Sequence, residues 1–320
     1  MDSIDSNEKL LAMPPLEVDT EKGLARFAAT AQRTAIQPAR GAMPAFLFAR
    51  PAKWLAAAAT VVVVATTLTL TGVADSILQI FEAKQFAAVT VTPVDLQTLG
   101  ELSQFGTLSW SAPPQPHTVG SLAAATAETG LPAISVTLPA SIGATAKYDA
   151  IARTTATFVF DASLARASAA AIGRTAPPMP AKLDGSTLAL TGGPAILISY
   201  GSGDQNGGTL VVGVAKTPTV GSDGASVSEI QAYLLSQPSV SPALAAQIRA
   251  MGDPATTLPI PIPVGQAAAK NVNVHGVTGL FVGDSTGLGS AVLWQQNGLV
   301  YIVGGTLTEA ETIAVANSLK

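Results

Sequence analysis

Gly283–Asp284–Ser285–Thr286–Gly287 is the segment with the clearest chemical spelling, because it fits G-x-S-x-G. That pattern makes a nucleophile elbow when a strand, a sharp turn and a helix follow one another, lifting the serine over an oxyanion hole. Here the strand-like run Val272–Val282 is followed by Leu288, Gly289 and a second strand-like run, AVLWQQ. The helix is missing, and no histidine follows the serine in chain order. The segment therefore reads as a hairpin loop, with a tethered serine hydrolase using Ser285 kept as the remote alternative.

The other chemical candidates are fewer still. Two histidines occur in 320 residues, and there is no cysteine. Thiolate zinc sites, iron–sulfur centres, disulfide frameworks and cysteine nucleophiles are excluded. His117 follows a proline-rich stretch and reads as a loop residue. His275 lies inside or at a bend of a strand-like run, too far along the chain from His117 for a paired metal motif. Gly201, Gly203 and Gly207 miss the dinucleotide spacing, and Asp204 and Asp223 lack the EF-hand arrangement. Trp110, Trp294 and Tyr301 read as packing residues. No catalytic, cofactor-binding or metal-ligating residue is assigned. A net charge of −4 argues against a nucleic-acid partner, since binding by phosphate neutralisation needs a basic surface.

The elements around these residues are punctuated clearly. Only 12% of the chain is charged against 48% hydrophobic, and mean hydropathy is +0.40. Part of that excess is one run, Trp54–Ala74, with 21 residues and no charge. As a helix it would be about 31 Å long, close to the hydrocarbon thickness of a bilayer. Six basic residues and no acid lie between Lys22 and Lys53. The positive-inside rule then puts the N-terminus in the cytoplasm and residues 75–320 outside. The organisation expected is a cytoplasmic tail over 1–53, a transmembrane helix over 54–74 and an extracytoplasmic domain over 75–320. The tail is expected to be largely disordered, with one short amphipathic helix within 20–36 that carries Leu24 and Phe27.

Beyond the span the pattern is α+β, with a mostly antiparallel sheet and capped helices. Strands are expected at Phe86–Thr92, Thr107–Ser111, Ile134–Leu138, Thr157–Phe160, Thr187–Leu190, Ala195–Tyr200, Thr209–Val214, Val272–Val282, Ala291–Gln296 and Leu299–Val303. GSGDQNGG at 201–208 reads as a long hairpin loop, and Asn297–Gly298 as a tight one. Helices open at the Ser226/Glu229 capping box, at Ser241–Pro242 and at the Thr308/Glu311 capping box. Two further helices are expected near Thr118–Glu128 and Ala162–Ile172. LPIPIP at 258–263 must stay extended, as an edge strand or a polyproline segment. A division into two lobes, if present, falls within 217–266.

The C-terminal stretch carries a recognisable pattern: V-x-V-x-G from Val272, then VLWQQNGLVYIVGG, then LTEAETIAVANSL. It resembles a bacterial extracytoplasmic domain of unknown function found behind a single membrane span, in a group that includes transmembrane anti-sigma factors. The resemblance covers about the last 50 residues. It implies a sensor or regulatory protein of the bacterial cytoplasmic membrane, anchored in the lipid bilayer through Trp54–Ala74, whose tail holds a cytoplasmic protein. Zinc-type members carry a His and Cys cluster in that tail, and residues 1–53 contain neither. A tail partner would have to be held by the helix around Leu24 and Phe27. The competing reading is a passive envelope-tethered binding or structural module.

Overall fold

The computed structural model describes residues 77–320, apart from Glu101, Pro113 and residues 202–207. The expected tail, its short helix and the Trp54–Ala74 span lie outside the described residues. Among the described residues no helix is long and apolar enough to cross a membrane. The fold is α+β with mostly antiparallel sheets, as the pattern predicts.

Among the described residues fifteen strands follow in chain order: β1 (Leu78–Glu82), β2 (Gln85–Val91), β3 (Gly106–Trp110), β4 (His117–Val119), β5 (Ala146–Ile151), β6 (Thr154–Phe160), β7 (Thr187–Gly192), β8 (Ala195–Gly201), β9 (Thr209–Lys216), β10 (Thr219–Ser222), β11 (Thr257–Pro263), β12 (Ala267–Val274), β13 (Val277–Asp284), β14 (Ser290–Gln296) and β15 (Leu299–Gly305). Six helices accompany them: α1 (Pro93–Gly100), α2 (Leu122–Thr129), α3 (Ala162–Ala171), α4 (Val227–Leu235), α5 (Pro242–Ala250) and α6 (Glu309–Ser318). The strands form an eight-stranded sheet, β12-β13-β14-β15-β9-β8-β5-β4, a five-stranded sheet, β1-β10-β7-β6-β3, and a two-stranded parallel ribbon of β11 and β2.

The large sheet is buried on both faces at its centre. Along β14, Val292 and Trp294 point to one face and Leu293 to the other. Along β15, Leu299 and Val303 share the first face, and Val300 and Ile302 the second. Strands buried on both sides need near-continuous apolar runs, which AVLW and LVYIV supply. The first face is covered by α2, α6 and the segment Leu131–Leu138. The second is covered by the β2/β11 ribbon, through Phe86, Ile260 and Ile262.

Three stretches of chain carry strands of both sheets. β5 runs into β6, β7 into β8 and β9 into β10, each across a two-residue break at 152–153, 193–194 and 217–218. The breaks are aligned in register, because Ile151 pairs with Ala195 and Ala195 with Ala215. These three residues form a small core of their own at the crossing. Gly193 there has φ +64 and precedes Pro194 through a cis peptide bond. A Cβ at Gly193 would lie 3.1 Å from the Ala152 carbonyl oxygen, so both the conformation and the space favour glycine.

Helix punctuation follows the expected chemistry. Ser226 and Glu229, and Thr308 and Glu311, make reciprocal capping boxes. Ser241 caps α5 through the Leu244 N–H, with Pro242 at the first helical position. A third box, Thr92/Asp95, opens α1 and was not expected: Thr92 N–H and Oγ1 donate to Asp95 Oδ2, and Asp95 N–H donates back to Thr92 Oγ1.

Two strand expectations need correction. Val272–Val282 is not one strand, because His275 and Gly276, with φ of 50° and 81°, turn the chain between β12 and β13. They make the same two-residue turn with two positive φ values that Asn297 and Gly298 make between β14 and β15. Ile134–Leu138 is extended but joins no sheet. Ser135 instead exchanges both backbone hydrogen bonds with Lys320, and Thr137 N–H donates to Ser318 Oγ.

Because β14 is buried on both faces, Leu293→Ala and Trp294→Ala should each destabilise the fold by roughly 2–5 kcal/mol in urea denaturation. A loss below about 1 kcal/mol for either would mean that its face is not packed as described.

Candidate functional site

Ser285 and His275 sit at opposite ends of β13. Ser285 follows its last residue and His275 precedes its first, so about 25 Å of strand separates them. The GDSTG segment is a hairpin loop organised by Asp284. Its Oδ1 accepts from Thr286 N–H, Thr286 Oγ1 and Leu288 N–H, and Ser285 N–H donates to the Gln266 carbonyl. No helix follows. The carboxylate that could have oriented a base is spent on the turn, and the geometry assembles no triad around Ser285.

The histidines are placed by other bonds. His117 Nε2 lies 3.0 Å from the Glu128 carboxylate in an exposed pair between β4 and α2. His275 Nε2 donates to the Ala316 carbonyl at 2.9 Å, and its backbone N–H donates to Asn317 Oδ1. These bonds clamp the β12–β13 turn to the end of α6. Asp223 accepts from Thr187 N–H at 2.7 Å, a loop-bracing role. Asp204 lies outside the described residues. Among the described residues no group of three His, Asp or Glu side chains could hold a metal ion.

Trp294 and Tyr301 are directly opposed across β14 and β15 and stack with centroids 5.2 Å apart and planes 16° apart. Trp294 is fully buried, and its indole Nε1 has no hydrogen-bond partner. Burial pushes the Tyr301 hydroxyl pKa up. Trp110 differs, standing at the free edge of β3 and 37% exposed beside Leu108, which is 42% exposed.

A cleft of about 500 Å³ lies at the end of β2. One wall is Thr90, Thr92, Val94 and Asp95; the facing wall is the segment from Pro238 to Leu244 with Gln247; Val264 closes one side. Val89, Val91 and Leu244 pack beneath it and hold α5 against β2. Composition gave no pointer to this cleft, because its residues come from three stretches of chain and include no catalytic type. The one signal was Thr92–Pro93–Val94–Asp95, whose capping-box spacing marks a helix start.

Among the described residues Asp95 is the only ionisable group lining the cleft, and it is 5% exposed. The Thr92 hydroxyl holds its carboxyl below the usual range, against a desolvation penalty from burial, with further help from the Thr92 N–H and the Ser241 hydroxyl. All three donors favour the ionised form. Thr90 N–H donates to Gln247 Oε1 at 2.8 Å, and Gln247 Nε2 donates to the Thr90 carbonyl at 3.0 Å. Among the described residues the cleft thus holds one carboxylate, which accepts from Thr92, and a Gln247 amide that presents a backbone-like donor and acceptor to Thr90.

Asp95→Ala should cost about 1 kcal/mol at neutral pH, as removal of a cap does. The folded pKa is lowered, so this contribution is complete above the unfolded carboxylate pKa of about 3.9 and is lost as pH falls through the lower folded value. Wild type and variant should therefore converge in stability at acid pH. A gap that widened on acidification would contradict the assignment. Ser285→Ala should leave labelling by a fluorophosphonate probe unchanged, whereas loss of labelling would restore the hydrolase reading.

No known protein family, curated protein or solved structure matches the chain.

Proposed function

We propose that the chain is a membrane-anchored regulatory protein, anti-sigma-factor-like, whose outer α+β domain responds to a signal that the 1–53 tail passes on. The anchor is Trp54–Ala74, which runs through the bilayer of the bacterial cytoplasmic membrane with the N-terminus inside. One observation supports the regulatory part: β1 begins at Leu78, four residues beyond the proposed span, and β2 follows it at Gln85.

Those strands are held differently. Among the described residues β1 is an edge strand of the five-stranded sheet, paired only with β10 and irregular in register between Gln79 and Phe81. Leu78, at its start, is 74% exposed. β2 is buried against the large sheet and paired in parallel with β11. Between them, Glu82, Ala83 and Lys84 donate backbone hydrogen bonds to Ala255, Pro218 and Thr256. Edge strands with irregular pairing are the first elements to open locally. A change in the outer domain that frees β1 would expose residues 77–84 to a protease while β2 stays in place. Cleavage there would separate the tail and anchor from the outer domain.

The test uses the absence of cysteine. Glu82 and Thr219 are register partners, so Glu82→Cys with Thr219→Cys can be oxidised across β1 and β10 without competing thiols. The oxidised full-length protein in membranes should resist cleavage between residues 77 and 84, and reduction should restore it. In parallel, the 1–53 tail should retain a cytoplasmic protein in a pull-down. Equal cleavage of both redox states, or replacement of the tail by an unrelated basic sequence without effect, would favour the passive tether instead.

A further inference from the structure

We propose that the chain self-associates through the free edge of β3, which pairs antiparallel with β3 of a second copy about a twofold axis at Ser109. The pairing does not depend on the regulatory reading.

The free rungs are located by hydrogen-bond parity. Asp161 N–H donates to the Phe105 carbonyl. β3 and β6 keep one register from there, with Gly106 opposite Phe160 and Trp110 opposite Ala156. In an antiparallel ladder hydrogen-bonded pairs alternate with non-hydrogen-bonded ones. Thr107 and Ser109 therefore turn their peptide groups to β6, and Leu108 and Trp110 turn theirs outward. Gly106 is buried, so it offers no rung. Among the described residues no strand lies beyond β3.

The other edges are each blunted, as folds that stay apart require. β1 is irregular in register, β4 is three residues long, and β12 carries Lys270. β11 alternates prolines, which have no N–H, and Thr90 of β2 is bonded on both groups to the Gln247 amide. β3 has none of these devices. Its register is regular, and residues 106–112, GTLSWSA, contain no charge and no proline. Leu108 and Trp110 are 42% and 37% exposed, yet they share a face with their register partners Phe158 and Ala156, which are buried. The apolar face that α3 and α4 cover thus runs out to the edge and stops there.

The strand's own pattern points to a second copy as the occupant. Pairing about Ser109 sets Leu108 of each copy opposite Trp110 of the other, and Thr107 opposite Ser111. Apolar meets apolar on one face and hydroxyl meets hydroxyl on the other, both favourable cross-strand pairs. The outward N–H and C=O of Leu108 meet those of Trp110, so all the free rungs are satisfied together. Neighbouring centres fail. A centre at Leu108 needs the buried Gly106 as a rung. A centre at Trp110 needs Ala112, whose carbonyl already accepts from the Thr154 hydroxyl. The axis stands normal to the sheet, so two copies anchored in one bilayer meet in this way with β3 lying along the membrane surface. One strand pair is smaller than the roughly 800 Å² per partner of a standard interface, so the dimer is weak.

The test traps that weak pair covalently. The chain has no cysteine, so Ser109→Cys supplies its one thiol. Across the axis the two Cα atoms of residue 109 stand at a non-hydrogen-bonded pair, about 4.5 Å apart and within disulfide range. Those of residue 107 are about 14 Å apart. The full-length Ser109→Cys protein, purified in detergent and mildly oxidised, should form a disulfide dimer about tenfold faster than full-length Thr107→Cys. Adding Trp110→Lys or Leu108→Lys, both at exposed positions, should remove that advantage with little change in melting temperature. Sedimentation equilibrium of the wild type should show a monomer–dimer equilibrium that Trp110→Lys shifts to monomer. Equal rates for the two single-cysteine proteins would overturn the proposal, as would cross-linking unaffected by both lysine variants. So would a wild type that stays monomeric at its highest soluble concentration. A dimer that survives Trp110→Lys would also overturn it and move the contact elsewhere in the chain.

Discussion

Two neighbouring strands, β14 and β15, carry apolar side chains on both faces, and neither face can be left to water. Burying Leu293, Val300 and Ile302 on one side and Val292, Trp294 and Val303 on the other dictates most of the surrounding architecture. One side requires a lid of α6 and α2. The other requires a second layer, which the chain builds from strands far apart in sequence. Each buried aliphatic side chain contributes roughly 1.5–3 kcal/mol relative to exposure, so a bare face would be costly to a fold of ordinary stability. The β2/β11 ribbon is therefore a structural requirement of the large sheet, and any function it has is built on that requirement.

The same constraint explains the crossing strands. A sheet buried on both faces at its centre cannot widen indefinitely, because twist carries its outer strands away from the covering layers. Here β5, β8 and β9 leave the large sheet together and continue as β6, β7 and β10 under a separate cover of α3 and α4. The aligned breaks act as one crease. Ile151, Ala195 and Ala215 fill its inside with small or slender side chains, which lets three backbones bend at the same level.

Much of this was legible locally and little of it globally. The α+β class, the Asn297–Gly298 hairpin and the boxes at Ser226 and Thr308 follow from turn and cap chemistry that acts within four residues. A two-residue turn even fixes the register that sets Trp294 opposite Tyr301. His275–Gly276 was legible only as lying inside or at a bend of one strand-like run, because its conformation is secured by Asn317 and Ala316, 42 and 41 residues away. Ile134–Leu138 alternates as a strand should, yet its partner is the chain end. The ribbon pairing of residues 85–91 with 257–263 leaves no local trace. The candidate cleft shares that fate, being assembled where three distant segments meet. Its Thr92/Asp95 cap was readable, but only as a helix start.

The ribbon also imposes an order on synthesis. Gln85 and Thr257 are 172 residues apart. At ordinary translation rates of about 5–20 residues per second, β2 waits roughly ten to thirty-five seconds before its partner strand exists. Throughout that interval the β-prone segment Gln85–Val91 lacks its partner strand. Closing so long a loop is also entropically slow to reward, which makes the ribbon a late event in folding. β2 is thus committed to a partner and a sheet that are both made after it, and a chain truncated before residue 257 would lack β11 together with β12 to β15.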